Sequence, residues 1–238
     1  MAGGAIDEWE EHLEELRRRI IKILVVFFLS TLVSFAFSEQ IVEFLTSPVS
    51  HLDVRLYTFA PSEKFMAHLH ISALMGVVAT APFFILQACL FIWPALKKNE
   101  RTYTLCAAGL IPCLFIAGAS AAYRFFSPVI LDFFLSFRSG DGVEPLWSFK
   151  EYLSLLACLM AGTGVMLQMP LFLLALFALG VVTPERVSSF RGYAILLIFF
   201  LAAVLTPPDV TSQIMLGVPL YLLFEMTIVA GRVMRRSK

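Results

Sequence analysis

The chain has 238 residues, of which 59% are hydrophobic and only 15% carry a charge. Soluble domains have about 45–50% apolar and about 25% charged residues, so the composition excludes an ordinary soluble protein and indicates one integral membrane domain. Lys and Arg together number 18, as do Asp and Glu, and the net charge is zero. Without an overall positive charge, we expect no nucleic-acid partner.

Six apolar stretches follow one another along the chain. They cover residues 20–37, 65–93, 103–126, 152–182, 193–205 and 214–230. The earlier stretches meet or approach the length of about 20 residues that a helix needs to cross a bilayer, whereas the last two are shorter. This short pair could form a re-entrant hairpin, but the basic segment at the far end of each run favours two crossings of a locally thinned membrane.

The sequence therefore predicts an all-α membrane protein with six transmembrane helices, the last two of them short. Prolines fall in or at the ends of four of the predicted helices, where a missing backbone hydrogen bond tends to bend the helix. We expect the bent helices to form a concave bundle. The prolines concerned are Pro82, Pro94, Pro112, Pro170 and Pro219.

Positive charge is distributed unevenly between the two sides of the predicted bundle. With the N-terminus placed inside, the inner segments hold 13 of the 18 Lys and Arg residues. Because Lys and Arg concentrate in cytoplasmic loops, this distribution predicts that both termini are cytoplasmic. The minority on the outer side comprises Arg55, Lys64, Arg124, Arg138 and Lys150.

Residues 1–19 are predicted to form a cytoplasmic amphipathic segment that leads into the first crossing. Apolar residues recur there at intervals of three and four, which is the helical period. The charged residues allow two favourable i,i+4 ion pairs, Glu14–Arg18 and Glu15–Arg19. The alternative is that one carboxylate stays free at the cytoplasmic face for a cationic ligand.

Polar side chains at membrane depth are candidates for contacts within or between proteins, because such groups rarely face lipid. Gln87 and Gln168 could each simply bond a neighbouring helix. Glu225, near the inner end of the last stretch, could pair with Arg232, and its role is left open. The four residues of this kind are Gln87, Gln168, Gln213 and Glu225.

Motifs of nucleotide binding, serine hydrolysis and zinc binding are absent, as is any Cys-x-x-Cys spacing. The sequence therefore predicts neither an enzyme nor a cofactor or metal site. A six-span secondary transporter or channel for a small solute, with Gln168 in a midplane site, is the alternative to a receptor. It is disfavoured because ionisable residues deep inside the predicted helices are scarce.

Three motifs occur in order: HLEELR at residues 12–17, F-x-x-P-A-L-x-x-x-E-R at 91–101, and TPPD at 206–209. Together they resemble the TatC family, the multispanning receptor of the twin-arginine translocase, over nearly the whole chain. The resemblance implies a bacterial cytoplasmic (inner) membrane protein that exports folded proteins with the proton-motive force. It implies as partners twin-arginine signal peptides, single-span subunits of the TatA and TatB type, and further copies of the same chain.

The resemblance also assigns roles to individual residues. It places signal binding at two carboxylates, Glu15 and Glu100, because two arginine forks need two carboxylates on separate rigid elements. Around them it places Arg17, Phe91, Lys98 and Arg101. It implies that Thr206, Gln213 and Gln168 contact partner helices, although the family commonly has glutamate where this chain has Gln168.

Overall fold

A computed structural model describes residues 3–50, 56–92, 101–136, 146–178, 180–206 and 209–236. The helices are α1 (Gly3–Ala36), α2 (Ser38–Ser50), α3 (Glu63–Ile92), α4 (Arg101–Ala121), α5 (Ser127–Ser136), α6 (Phe149–Met166), α7 (Met169–Ala178), α8 (Pro184–Ser189), α9 (Arg191–Leu205) and α10 (Val210–Arg236). Two short strands, β1 (Leu56–Tyr57) and β2 (Trp147–Ser148), pair in parallel, with Leu56 opposite Trp147.

Within these residues, five helical segments are long and apolar enough to cross a membrane. This establishes a multi-pass membrane protein with helices at the predicted apolar stretches. The segments are Leu13–Ala36, Glu63–Ala88, Gly109–Ser136, Phe149–Ala178 and Val210–Arg235.

The two C-terminal helices differ in length. Helix α9 has 15 residues, or about 22 Å at 1.5 Å per residue, which is less than the hydrocarbon core of about 30 Å. Helix α10 has 27 residues and is longer than the apolar run at 214–230, because it continues into the basic residues that follow. Six crossings and a short final crossing therefore remain predictions.

Two predicted stretches have different boundaries in the structure. The third does not end at residue 126, because a π-helical turn, Ala122–Phe126, leads directly into α5. The fourth is divided at Leu167 and Gln168 into α6 and α7. Pro170 occupies the first turn of α7, where a proline is tolerated because the backbone N–H groups of that turn have no partner within the helix.

Helix α6 lies at the centre of the bundle and carries much of the buried core. Leu153, Leu156 and Ala157 are almost fully buried there. Gly118 of α4 lets the two backbones approach closely, because a Cβ atom at this position would lie 2.7 Å from the carbonyl oxygen of Thr163. Small residues at helix contacts are the usual means of close packing in membrane bundles.

One end of the bundle is closed by a cap, formed by α2 with β1 and β2. The hydroxyl of Tyr152 donates to the carbonyl oxygen of Leu45 at 2.7 Å, and that of Tyr123 donates to the carbonyl oxygen of Phe44 at 2.7 Å. The ring of Tyr123 also stacks on Phe44, with centroids 4.4 Å apart. The cap is thus fastened by hydrogen bonds to both α6 and the π-helical turn, Ala122–Phe126, that follows α4.

Candidate functional site

Glu15 lies on α1 within a small network that we call the Arg19 cluster, formed by Glu15, Arg19, Gln87 and Leu90. Arg19 donates from Nη2 to Glu15 Oε1 at 2.5 Å and from Nε to the same oxygen at 3.1 Å. Its Nη1 donates to the side-chain oxygen of Gln87 at 2.9 Å, and its Nη2 donates to the carbonyl oxygen of Leu90 at 3.2 Å. The cluster therefore joins α1 to the C-terminal part of α3.

Both ion pairs predicted along α1 are present, but their surroundings differ. Arg18 and Glu14, 3.2 Å apart, are 70% and 62% exposed, whereas Arg19 and Glu15 are 18% and 37% exposed. An exposed pair of this kind contributes little, because water screens it and two long side chains must be ordered. The Glu15 pair is held more firmly because Arg19 has further partners on α3.

The other residues assigned to signal binding are described only in part. Arg17 is exposed on α1. Lys98 and Glu100 lie outside the described residues. Phe91 belongs to α3 and Arg101 begins α4, but their side chains are outside the description. Glu15 is thus placed beside the end of the helix from which the chain continues towards Glu100.

Gln168 lies at the division between α6 and α7 and is 6% exposed. Its amide nitrogen donates to the carbonyl oxygen of Ile111 on α4 at 2.9 Å, while its Oε1 has no hydrogen-bond partner among the described residues. The interpretation that Gln168 bonds a neighbouring helix is therefore correct. It also lines an apolar cavity of about 400 Å³ together with residues of α7, α9 and α10.

Thr206 and Gln213 lie at the facing ends of α9 and α10. Thr206 is 6% exposed, and its hydroxyl donates to the carbonyl oxygen of Ala202, one turn earlier, at 2.9 Å. Gln213 is half-buried, and its amide nitrogen donates to the carbonyl oxygen of Phe199 at 2.8 Å. Both side chains thus have partners inside the chain, and Gln213 joins the two helices.

Glu225 pairs with Arg191 and does not form the suggested ion pair with Arg232. Arg191, at the start of α9, donates to Glu225 from Nε at 2.7 Å and from Nη2 at 2.9 Å, and the Tyr221 hydroxyl donates to Glu225 at 2.8 Å. Arg232 instead donates to the hydroxyl of Ser188 at 3.1 Å. Arg232 lies two helical turns from Glu225 along α10, whereas the start of α9 lies directly beside it.

Sequence reasoning did not find the contact of Arg19 with α3 or the tyrosine bonds that fasten the cap. Gln87 and Arg19 are 68 positions apart, and Tyr152 and Leu45 are 107 apart. The only available signal was the expectation that an amide at membrane depth needs a partner. That rule predicted that Gln87 has a hydrogen-bond partner, but it could not identify the partner as Arg19.

The helices and their hydrogen-bonded polar side chains define a multi-pass α-helical membrane protein, and comparison with known proteins gives its family. The model of the family described as "Sec-independent protein translocase protein (TatC)" matches residues 11–219. TatC of Magnetococcus marinus is 36% identical over 231 residues, covering 96% of this chain and 85% of the relative. TatC of Aquifex aeolicus is 34% identical over 232 residues, covering 96% of each.

Two solved structures are similar as well. A crystal structure of the twin-arginine translocase receptor TatC in DDM has a TM-score of 0.83 at 33% identity, covering 92% of this chain and 99% of that one. A second crystal structure of this receptor has a TM-score of 0.84 at 32% identity, covering 93% and 98%. The chain belongs to the TatC family of protein translocase proteins. It is a component of a protein translocase and not an enzyme. The family assignment replaces the alternative of a transporter or channel for a small solute.

Proposed function

We propose that this chain is the receptor that captures twin-arginine signal peptides at the cytoplasmic face and recruits single-span partner subunits. Both solved structures that it resembles are named twin-arginine translocase receptors. Cargo then crosses the membrane in the folded state, and the proton-motive force supplies the energy.

The signal site in this proposal consists of Glu15 and Glu100 with Arg17, Phe91, Lys98 and Arg101 around them. The observation that carries it is the Arg19 cluster, which holds Glu15 against the C-terminal part of α3. Glu100 follows α3 in the chain, on the segment that leads to α4. Two carboxylates on different elements could each accept charge-assisted hydrogen bonds from one arginine of the signal.

Partner helices are proposed to dock at Thr206 and Gln213, with Gln168 as a further contact. The short α9 supports this, because a short helix favours local thinning of the bilayer and brings its polar end close to lipid. Gln213 uses its amide nitrogen within the chain, so its oxygen is the atom offered to a donor on another helix. Gln168 has a similar unused oxygen among the described residues.

The proposed setting is the bacterial inner membrane, with six crossings and both termini in the cytoplasm. The 13 to 5 division of Lys and Arg supports this orientation. The pairs of Arg191 with Glu225 and of Arg235 with Glu185, 2.6 Å apart, lie at the end assigned to the cytoplasm. Self-association into larger receptor complexes is part of the proposal.

The test is binding of a labelled twin-arginine peptide to the full-length protein in nanodiscs. Glu100→Gln keeps the size of the side chain and removes its charge. It should weaken binding about tenfold or more, because a charge-assisted hydrogen bond contributes about 1.5–3 kcal/mol. Glu100→Asp keeps the charge on a shorter side chain and should have a smaller effect.

The matched control is Glu14→Gln, which removes a carboxylate from the same helix as Glu15 but from an exposed ion pair. It should bind the peptide as the wild type does, and all variants should reach normal levels in the membrane. Wild-type affinity in both Glu100→Gln and Glu15→Gln would show that the signal binds elsewhere.

A further inference from the structure

We propose that Arg19 and Gln87 are positioning residues that hold Glu15 in one orientation and so make the site select arginine over lysine. The inference rests on the proposed function of Glu15 as a signal-binding carboxylate. It concerns two residues outside the set that the motifs assign to the site.

The first support is the completeness of the bonds around Arg19. Its guanidinium donates to Glu15 from Nε and Nη2, to Gln87 from Nη1 and to the Leu90 carbonyl from Nη2. Two of these partners belong to α3, so the guanidinium cannot follow movements of α1 alone. Its 18% exposure, against 70% for Arg18 one position earlier, shows that it is enclosed by the two helices.

The second support is the way in which Arg19 holds Glu15. Both contacting nitrogens of Arg19 bind the same carboxylate oxygen, Oε1. Among the described residues, Oε2 receives no hydrogen bond, and Glu15 remains 37% exposed. A carboxylate offers about four acceptor positions on its two oxygens, so Glu15 is oriented by one oxygen and can still accept donors at the other.

As a consequence, Glu15 distinguishes arginine from lysine by the geometry of the hydrogen bonds, while its electrostatic attraction for both side chains is weaker. The positive charge of Arg19 reduces the net negative field at Glu15, and this weakens the attraction of arginine and lysine alike. A fixed carboxylate favours the planar guanidinium, whose donors have fixed directions. It favours lysine less, because an ammonium group is close to a point charge on a flexible chain.

The role of Gln87 follows from the same geometry. Its side-chain oxygen is the acceptor for Arg19 Nη1 at 2.9 Å. Without this acceptor, Arg19 would keep its bonds to Glu15 and to the main-chain carbonyl oxygens of Leu90, at 3.2 Å, and Gln87, at 3.4 Å, but would lose its shortest bond to α3. The Glu15–Arg19 pair would then be held less firmly against α3 and would become more like the exposed pair Glu14–Arg18.

The experiment measures two affinities on each preparation of the full-length protein in nanodiscs. One labelled signal peptide carries two arginines, and a second is identical except that it carries two lysines. The ratio of the two affinities is the readout, because a partly unfolded preparation lowers both affinities without changing their ratio. The variants are Arg19→Gln, Gln87→Leu, Gln87→Glu and, as the matched control, Arg18→Gln.

We expect Arg19→Gln and Gln87→Leu to lower the arginine-to-lysine ratio roughly tenfold, which is the difference expected when one charge-assisted hydrogen bond is lost. Gln87→Glu keeps an acceptor for Arg19 and should retain the wild-type ratio. Arg18→Gln removes the same charge from the same helix and should also retain it. An unchanged ratio in both Arg19→Gln and Gln87→Leu overturns the inference, and so does an equal fall in Arg18→Gln.

Glu15→Gln separates this inference from the proposed function. If Glu15→Gln binds the arginine peptide normally, Glu15 is not a signal-binding residue and the proposed site fails. If Glu15→Gln loses binding while Arg19→Gln and Gln87→Leu keep the wild-type ratio, the site stands. Only the positioning role of Arg19 and Gln87 is then rejected.

Discussion

The side-chain amide of Gln213 donates to the main-chain carbonyl oxygen of Phe199 at 2.8 Å and so joins α10 to the middle of α9. The ring of the same Phe199 covers Gly217, where an added Cβ atom would lie 2.9 Å from Cε1. One residue of α9 is therefore fixed to two successive turns of α10. Gln213 thus has a structural role within the chain besides its proposed role towards partner helices.

The first prediction separates these two roles of Gln213. Gln213→Leu should lower the free energy of unfolding by about 0.5–1.5 kcal/mol, because it removes the bond to Phe199. Thr206→Val should have a smaller effect, since Thr206 bonds only within its own helix. The measurement is thermal unfolding in detergent for each variant.

Cross-linking to single-span subunits then tests the partner role. The double change of Gln213 to Leu and Thr206 to Val should weaken the cross-links by more than the loss of stability explains. Full cross-linking in the double variant would place the partner contact elsewhere.

The second prediction concerns the close approach of α4 and α6. Gly118→Ala should destabilise the protein by about 1–3 kcal/mol, because the new methyl group would overlap the backbone at Thr163 and Gly164. Gly109→Ala is the control on the same helix, since a Cβ atom there meets nothing within 4 Å. Thermal unfolding should show a large decrease for Gly118→Ala and no decrease for Gly109→Ala. Similar behaviour of the two variants would contradict the packing described.

The third prediction concerns the pair of Arg191 and Glu225. Either Arg191→Gln or Glu225→Gln should lower thermal stability, because each leaves its partner without the bidentate bond. Exchanging the two residues, with Arg191→Glu and Glu225→Arg together, leaves the net charge at this end unchanged and should recover part of the loss. Glu185→Gln is a suitable control, since the pair of Glu185 with Arg235 is more than half exposed. If the variant with both Arg191→Gln and Glu225→Gln loses the sum of the two single losses in stability, Arg191 and Glu225 do not interact.

The fourth prediction concerns orientation and follows from the uneven distribution of Lys and Arg. Single cysteines would be introduced into a variant without its own cysteines and labelled in intact cells with a membrane-impermeant reagent. Positions 50, 140 and 209 should react from outside, whereas positions 99, 188 and 237 should react only after the cells are opened. Labelling of position 99 in intact cells would contradict the orientation. Position 209 separates two crossings from a re-entrant hairpin, because it is outside only in the first case.

The apolar stretches predicted the helices well because a backbone in lipid must satisfy its hydrogen bonds within the helix. The ends of helices were harder to predict. The third apolar stretch was predicted to end at residue 126, yet the helix continues through the π-helical turn into α5, whose first turn accommodates Pro128. Composition alone does not report such local geometry.

Only those residues of the candidate site that belong to sequence motifs could be predicted. The motif at 12–17 pointed to Glu15, and helical spacing correctly paired it with Arg19. The contact with Gln87 depends on how α1 lies against α3, which a local pattern does not contain. The same limit explains Glu225, where spacing along one helix suggested Arg232 but the neighbouring helix supplied Arg191.

The division between α6 and α7 has a mechanical consequence. Backbone bonds continue across it, since Leu167 donates to Thr163, Gln168 to Val165, and Phe172 to Gln168, each at 3.0 Å. Pro170 has no N–H group to leave unsatisfied. A regular helix through this point would therefore add few hydrogen bonds and would press the proline ring against the preceding turn. The division between α6 and α7 is therefore not expected to act as a hinge, and the two helices should move together as one unit.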